Sequence, residues 1–361
     1  MVRFQQSRGS FIMHMADALL SPGTAAVMTA ASAGAAAYSI YRVRRENQSE
    51  KIPVMAVSAA LIFAGQMINY TIPGTGSSGH LCGGMLLSAL LGPEAGFLSM
   101  IVVLASQCLF FADGGLMALG ANIWNMAFYG CFVGSYLIWQ PIMRSSLFSN
   151  MGEKAGTRAK IILASILGCV LTLQLGAFSV VVETTVSGIT ELPFGAFAGL
   201  MLPIHLAIGL IEGLITSAVL CFVYETRPEL LTGIEKTGAP AKFSLKKVVA
   251  CLAVLALVTG GAFSLFASSN PDGLEWALFG NEENGYAANM GLDEENYGTQ
   301  STAADTAASI QETTSFLPDY AFADSDSAAG TTVSGIVGSA IVAAIATGIA
   351  FIGKFFRRKA S

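Results

Sequence analysis

The chain has 361 residues, of which 53% are hydrophobic and only 12% charged, and its mean hydropathy is +0.61. That balance excludes an ordinary soluble globular domain. The net charge of -5 is an uneven average, because half of the 24 acidic residues lie between Asp272 and Asp326, and this distribution argues against a nucleic-acid partner.

In chain order, about nine stretches are long and apolar enough to approach the roughly 20 residues that cross a bilayer core. They run near 22–41, 53–70, 80–92, 94–112, 116–140, 159–183, 194–224, 246–268 and 332–353. The third is short, opening at a Gly-rich loop and ending at Gly92 and Pro93, which predicts a half-helix or re-entrant segment buried by its neighbours. The fold class expected is an all-α integral membrane protein of about nine transmembrane helices.

Orientation follows from the basic residues, since short cytoplasmic loops retain Lys and Arg. All of the 19 except Arg3 and Arg8 fall within 42–51, 144–160, 227–247 and 354–359. With those segments cytoplasmic, the loops near 71–79, 113–115, 184–193 and 269–331 are external, and none contains a Lys or Arg. The amino terminus is then outside and the carboxy terminus cytoplasmic, which requires an odd number of crossings. The polar stretch around 296–309 is expected to be a partly ordered outer loop, too poor in apolar surface to fold alone. All six cysteines fall in apolar spans with no Cys-x-x-Cys pair, so free thiols acting as small core residues are expected.

Residues 1–12 carry two arginines and no apolar run of signal-peptide length, and read as an extension ahead of a second possible start at Met13. A free amine at Met13 followed by His14 is a chelator: amine, deprotonated backbone nitrogen and imidazole bind one ion, an arrangement suited to nickel or copper(II). The chain has three histidines, His14, His80 and His205. His14 and His80 both fall on the outer side, and His80 follows the Gly-Ser loop 74–79, so the two can form a nitrogen-rich external site. His205 lies within a span with Glu212 two turns on along the same face, where ionisable groups are costly and functional by default, although a packing bond is the blander reading. Asn69, Gln107, Asp113, Asn122 and Asn125 are further polar residues at or within spans, suited to supporting the site or to bonds between helices.

Four stretches resemble the CbiM and NikM type of substrate-binding membrane subunit of energy-coupling-factor transporters: MHMADALLSP at 13–22, GTGSSGHLCGGMLLSALLGPEAGF at 74–97, FADGGLMALGANIWNM at 111–126 and HLAIGLIEGLIT at 205–216. SNPDGLEWAL at 269–278 and LPDYAF at 317–322 resemble the PDGLE domain that accompanies such subunits. The resemblance implies an extension over 1–12, a metal-binding membrane domain over 13–225, a cytoplasmic linker over 226–245, and a PDGLE-like domain with two spans and an acidic outer loop over 246–358. It implies a non-enzymatic protein of the prokaryotic plasma membrane that captures Ni2+ or Co2+ through Met13, His14 and His80. It further implies a transmembrane coupling protein and two cytoplasmic ATPases as partners. No Gly-x-x-x-x-Gly-Lys-Ser/Thr loop occurs, consistent with no bound nucleotide on this chain. The departure is the extension: translation begins at Met13, the extension is cleaved, or the chelate differs. The alternative function is a self-sufficient cation-coupled carrier using Glu212, Asp113 and His205 as an ion relay. A zinc peptidase is disfavoured by the lack of His-Glu-x-x-His.

Overall fold

A computed structural model describes residues 14–45, 52–234, 243–286, 289–292, 297–322 and 328–358. The longer helices follow the apolar runs, and two shorter ones, at 273–279 and 302–314, fall outside them. After a single 3-10 turn, Asp17–Leu19, come α1 (Pro22–Arg45), α2 (Ile52–Gln66), α3 (Gly84–Leu91) and α4 (Pro93–Phe111). A continuous helix over 119–144 follows, built from α5 (Leu119–Asn122), a π-wound stretch (Ile123–Trp139) and α6 (Gln140–Arg144). The long pair α7 (Glu153–Val186) and α8 (Phe194–Thr226) pack along each other as a hairpin. The carboxy-terminal part adds α9 (Leu245–Gly261), α10 (Gly273–Phe279), α11 (Thr302–Thr314) and α12 (Ala328–Arg358).

Among the described residues five helices are long and apolar enough to cross a membrane: Pro93–Phe111, Glu153–Val186, Phe194–Thr226, Leu245–Phe266 and Ala329–Gly348. Their outward faces are apolar. Leu167, Leu171, Leu175, Phe178 and Val182 form one exposed stripe along α7, and Leu206, Leu210 and Leu214 form another on α8. Such stripes at helical spacing suit lipid rather than water.

α3 is the short element the sequence suggests. All eight of its residues are buried, and it is bracketed by Gly83 and Gly92, both at positive φ. It sits at the centre of the bundle among α2, α4, α7, α8 and the π-wound helix. A Cβ on Gly84 would lie 2.8 Å from the Gly130 Cα, so this crossing depends on two glycines facing each other.

The six cysteines are unpaired, and Cys82, Cys108, Cys131 and Cys169 are buried. One expectation is corrected. Much of the stretch around 296–309 is not loose: residues 302–314 form α11, capped by Ser301 and docked on α4. Gln311 supplies the reason, donating to the carbonyls of Cys108 and Gly114 at 3.0 and 2.8 Å, so polar bonding replaces the apolar surface this helix lacks.

Candidate functional site

The amino-terminal loop from His14 to Leu20 is folded into the bundle, with Met15, Leu19 and Leu20 almost wholly buried. A buried loop must have its backbone groups satisfied, and Asn122 does this for Met15. Its Oδ1 accepts the Met15 N–H at 3.0 Å, and its Nδ2 donates to the Met15 carbonyl at 3.1 Å. The Gly115 N–H donates to the same carbonyl, and Asp17 Oδ1 accepts the Ala118 N–H at 2.8 Å. This contact needs Gly114 and Gly115. Gly114 sits at φ 77°, and a Cβ there would come within 2.6 Å of His14 Cβ.

His80 follows an antiparallel hairpin, β1 (Tyr70–Ile72) and β2 (Ser77–Gly79). The carboxy-terminal part grips this hairpin: Ser78 N–H donates to Pro271 O at 2.7 Å, Asn281 Nδ2 to Gly76 O at 2.7 Å, and Tyr286 Oη to Gly74 O at 2.9 Å. The next turn is held from below by Glu212, whose two oxygens accept the N–H groups of Cys82 and Gly83 at 2.8 and 2.9 Å.

These two loops bring the imidazoles of His14 and His80 to a ring-centroid separation of 5.7 Å, tilted by 54°. Both line one cavity of about 100 Å³, together with His205, Asp272, Asn122 and Asn125. That space exceeds what one water needs.

His14 Nδ1 lies 2.8 Å from Asp113 Oδ1, at ion-pair distance although not aligned as a hydrogen bond, and Asp113 Oδ2 accepts the Tyr320 hydroxyl at 2.6 Å. His14 Nε2 makes no hydrogen bond among the described residues. His80 Nδ1 faces the Leu81 carbonyl at 3.1 Å, and its Nε2 faces Asp272 Oδ2 at 3.8 Å. The other Asp272 oxygen caps α10, accepting from Leu274 and Glu275. Burial pushes the Asp272 carboxyl above its ordinary range, against the favourable influence of His80. His205 Nδ1 faces the Met201 carbonyl at 2.8 Å.

The residues singled out from sequence thus divide. His14, His80, His205, Asn122 and Asn125 share the cavity, with Asp113 directly behind His14. Glu212 does not line it, being turned toward the start of α3. Asn69 passes its carbonyl to the Ser268 N–H, and the Gln107 carbonyl takes the Asp113 N–H, so both lie outside the cavity lining. Met13 lies outside the described residues, and among those described no three His, Cys, Asp or Glu side chains cluster as a metal site. Two further side chains reach the site from far along the chain, Asp272 and Tyr320; the sequence signal for them is that each falls in a stretch resembling a PDGLE domain, SNPDGLEWAL and LPDYAF.

Residues 14–230 match the family described as the cobalt uptake substrate-specific transmembrane region, CbiM, and residues 246–355 match the PDGLE domain. A relative in Archaeoglobus fulgidus, provisionally named a fused nickel transport protein NikMN, is 36% identical over 92% of this chain and 96% of its own length. The fused nickel transport protein NikMN of Rhodobacter capsulatus is 30% identical over 64% of this chain and 67% of its own. The cobalt transport protein CbiM of Sorangium cellulosum is 27% identical over 62% of this chain and 96% of its own. The crystal structure of a truncated transition metal transporter, 31% identical, superposes with a TM-score of 0.50 over 59% of this chain and 99% of that one. With its family match, its PDGLE match and its apolar helices, this chain belongs to the CbiM family of cobalt uptake transmembrane proteins, and is a multi-pass membrane transport protein rather than an enzyme.

Proposed function

We propose that this chain is the substrate-capture subunit of an ATP-driven energy-coupling-factor importer of nickel or cobalt, binding the ion through Met13, His14 and His80. The observation that carries the reading is the pairing of His14 and His80, 5.7 Å apart on the wall of one cavity. Nitrogen donors favour late first-row divalent ions over magnesium or calcium, which prefer oxygen. The names of the relatives, nickel transport for some and cobalt transport for others, support the same substrate class.

The arrangement supports one way of holding the ion. In a chelate that uses the His14 main-chain nitrogen, the ring joins through Nδ1, since Nε2 is too far to close a ring with it. Nδ1 here faces Asp113, so capture exchanges that contact for the ion. The terminal amine belongs to Met13 once residue 13 begins the chain. Nine crossings carry the chain from an external amino terminus to a cytoplasmic carboxy terminus, with the metal-binding domain over 13–225, a linker over 226–245 and the PDGLE-like domain over 246–358. A coupling protein and two ATPases, docking on the basic cytoplasmic side, supply the energy.

The test is intact mass of the purified protein with calorimetric titration of nickel and cobalt into wild type, His14→Ala and His80→Ala. The expected result is a mass that begins at Met13, with binding weakened by about 100-fold or more in each variant, as for loss of a direct ligand. A mass beginning at Met1 with unchanged affinity in both variants would sink the site. Uptake that persists in cells without any partner ATPase would instead support the self-sufficient carrier.

A further inference from the structure

Glu183 is a buried acid that the capture site leaves unused. It lies one turn from the Val186 end of α7, beside the loop 187–193 that is external in the arrangement proposed above, and is only 5% exposed. Its Oε2 accepts from Asn125 Nδ2 at 2.9 Å. Its Oε1 has no hydrogen-bond partner, and among the described residues no basic side chain pairs with the carboxylate. The adjoining loop 187–193 and the loops 71–79, 113–115 and 269–331 contain no Lys or Arg that could do so. A buried carboxylate without a counter-charge is costly, and such groups are paired, neutralised or bound to a cation. Protonation would remove the charge but put on Oε1 a buried donor with no acceptor, whereas a cation satisfies charge and lone pair together.

Two more orphaned oxygens lie with it. Asn125 is held against α7 by a close crossing, in which a Cβ on Gly176 would come within 2.6 Å of the Asn125 carbonyl. Its Nδ2 is spent on Glu183, and its Oδ1 is buried without a partner. Ser187, one turn on from Glu183 and donating its N–H to the Glu183 carbonyl at 2.9 Å, has a buried Oγ that is likewise unpartnered. These groups continue the wall of the cavity. Asn125 itself lines it, as do Thr172, Gly176 and Val180 of α7, and Glu183 and Ser187 extend that face by further steps of three and four residues. Carboxylate and amide oxygens suit a divalent ion that still carries water, while imidazole suits the late first-row ion once it has shed it.

We infer that Glu183 and Asn125 form an entry station, an oxygen-lined site that takes a partly hydrated divalent cation from outside and passes it to the cavity of His14 and His80. This rests on the reading of that cavity as the site for nickel or cobalt.

The experiment uses the full chain in detergent with Mn2+ and Ni2+ as probes. Mn2+ prefers oxygen ligands, and the paramagnetic resonance signal of the free ion falls as it binds. Glu183→Gln keeps an oxygen to accept from Asn125 Nδ2 and removes the charge, and Glu183→Asp keeps the charge. The expected result is one Mn2+ bound by wild type and by Glu183→Asp but not by Glu183→Gln, together with stopped-flow capture of Ni2+ slower by about tenfold or more in Glu183→Gln and largely recovered in Glu183→Asp. Mn2+ should slow Ni2+ capture in wild type and leave it unchanged in Glu183→Gln. Equal Mn2+ uptake, or equal Ni2+ capture rates, in wild type and a folded Glu183→Gln would overturn the station and make Glu183 a neutral acid that braces Asn125, with the cavity reading left standing. A wild-type chain that binds no Ni2+ would overturn the cavity reading itself, and this inference with it.

Discussion

Asn122 shows how one side chain makes a buried loop possible. Without its amide, the Met15 N–H would be stranded in the bundle and the Met15 carbonyl would keep only Gly115. An unsatisfied buried backbone group costs about 1–3 kcal/mol. Asn122→Ala is therefore expected to loosen the loop that carries His14 and lower nickel or cobalt affinity by about tenfold or more, since 1.4 kcal/mol is a factor of ten. Calorimetric titration beside wild type checks this, with unchanged helicity by circular dichroism as the control. Asp113 stands one layer further back, joining His14 to the Tyr320 hydroxyl. Both contacts were out of reach of the sequence, which marks Asn122 and Asp113 as polar residues near spans but gives no means of pairing them.

At the scale of elements, α3 and Glu212 explain each other. A half-helix at the bundle centre starts with N–H groups that have no partner in the preceding turn, and Glu212 from α8 accepts two from the turn ahead of it, at Cys82 and Gly83. From sequence, Glu212 pairs with His205 by their spacing along one helix. The fold separates them, because α8 passes the cavity at His205 and α3 at Glu212. Glu212→Ala leaves both N–H groups stranded and is expected to destabilise the protein by about 2–6 kcal/mol, at 1–3 kcal/mol for each. A fluorescence-detected melt in detergent should show a clear drop in Tm, and an unchanged Tm would show that Glu212 is not the anchor of α3. The helix α11 teaches the complementary lesson. Its Ala, Thr and Ser composition reads as a loop, whereas Gln311, placed by the fold over the Cys108 and Gly114 carbonyls, docks it.

Across the whole molecule, charge and hydropathy support the proposed arrangement in the membrane. Nine crossings with an external amino terminus predict that Glu191→Cys and Thr306→Cys react with a membrane-impermeant maleimide in intact cells. Lys154→Cys and Glu229→Cys should react only after permeabilisation. All four positions are exposed, so failure to react reports the membrane rather than burial. Reaction of Lys154→Cys in intact cells would invert the topology and place the basic segments outside.

The sequence by itself determined that this is a polytopic helical membrane protein, where its long apolar helices lie, and that His14 and His80 are the nitrogen donors to propose for an external site. Those properties are local: hydropathy is summed over a window, charge bias is counted loop by loop, and residue type sets donor chemistry. Only the tertiary structure decided that His14 and His80 meet across one cavity, that Asp272 faces His80, and that Tyr320 reaches His14 through Asp113. Each of those contacts joins segments far apart in the chain, held by close glycine crossings and by hydrogen bonds to buried backbone. No local pattern encodes which distant carbonyl or carboxylate a given side chain will find.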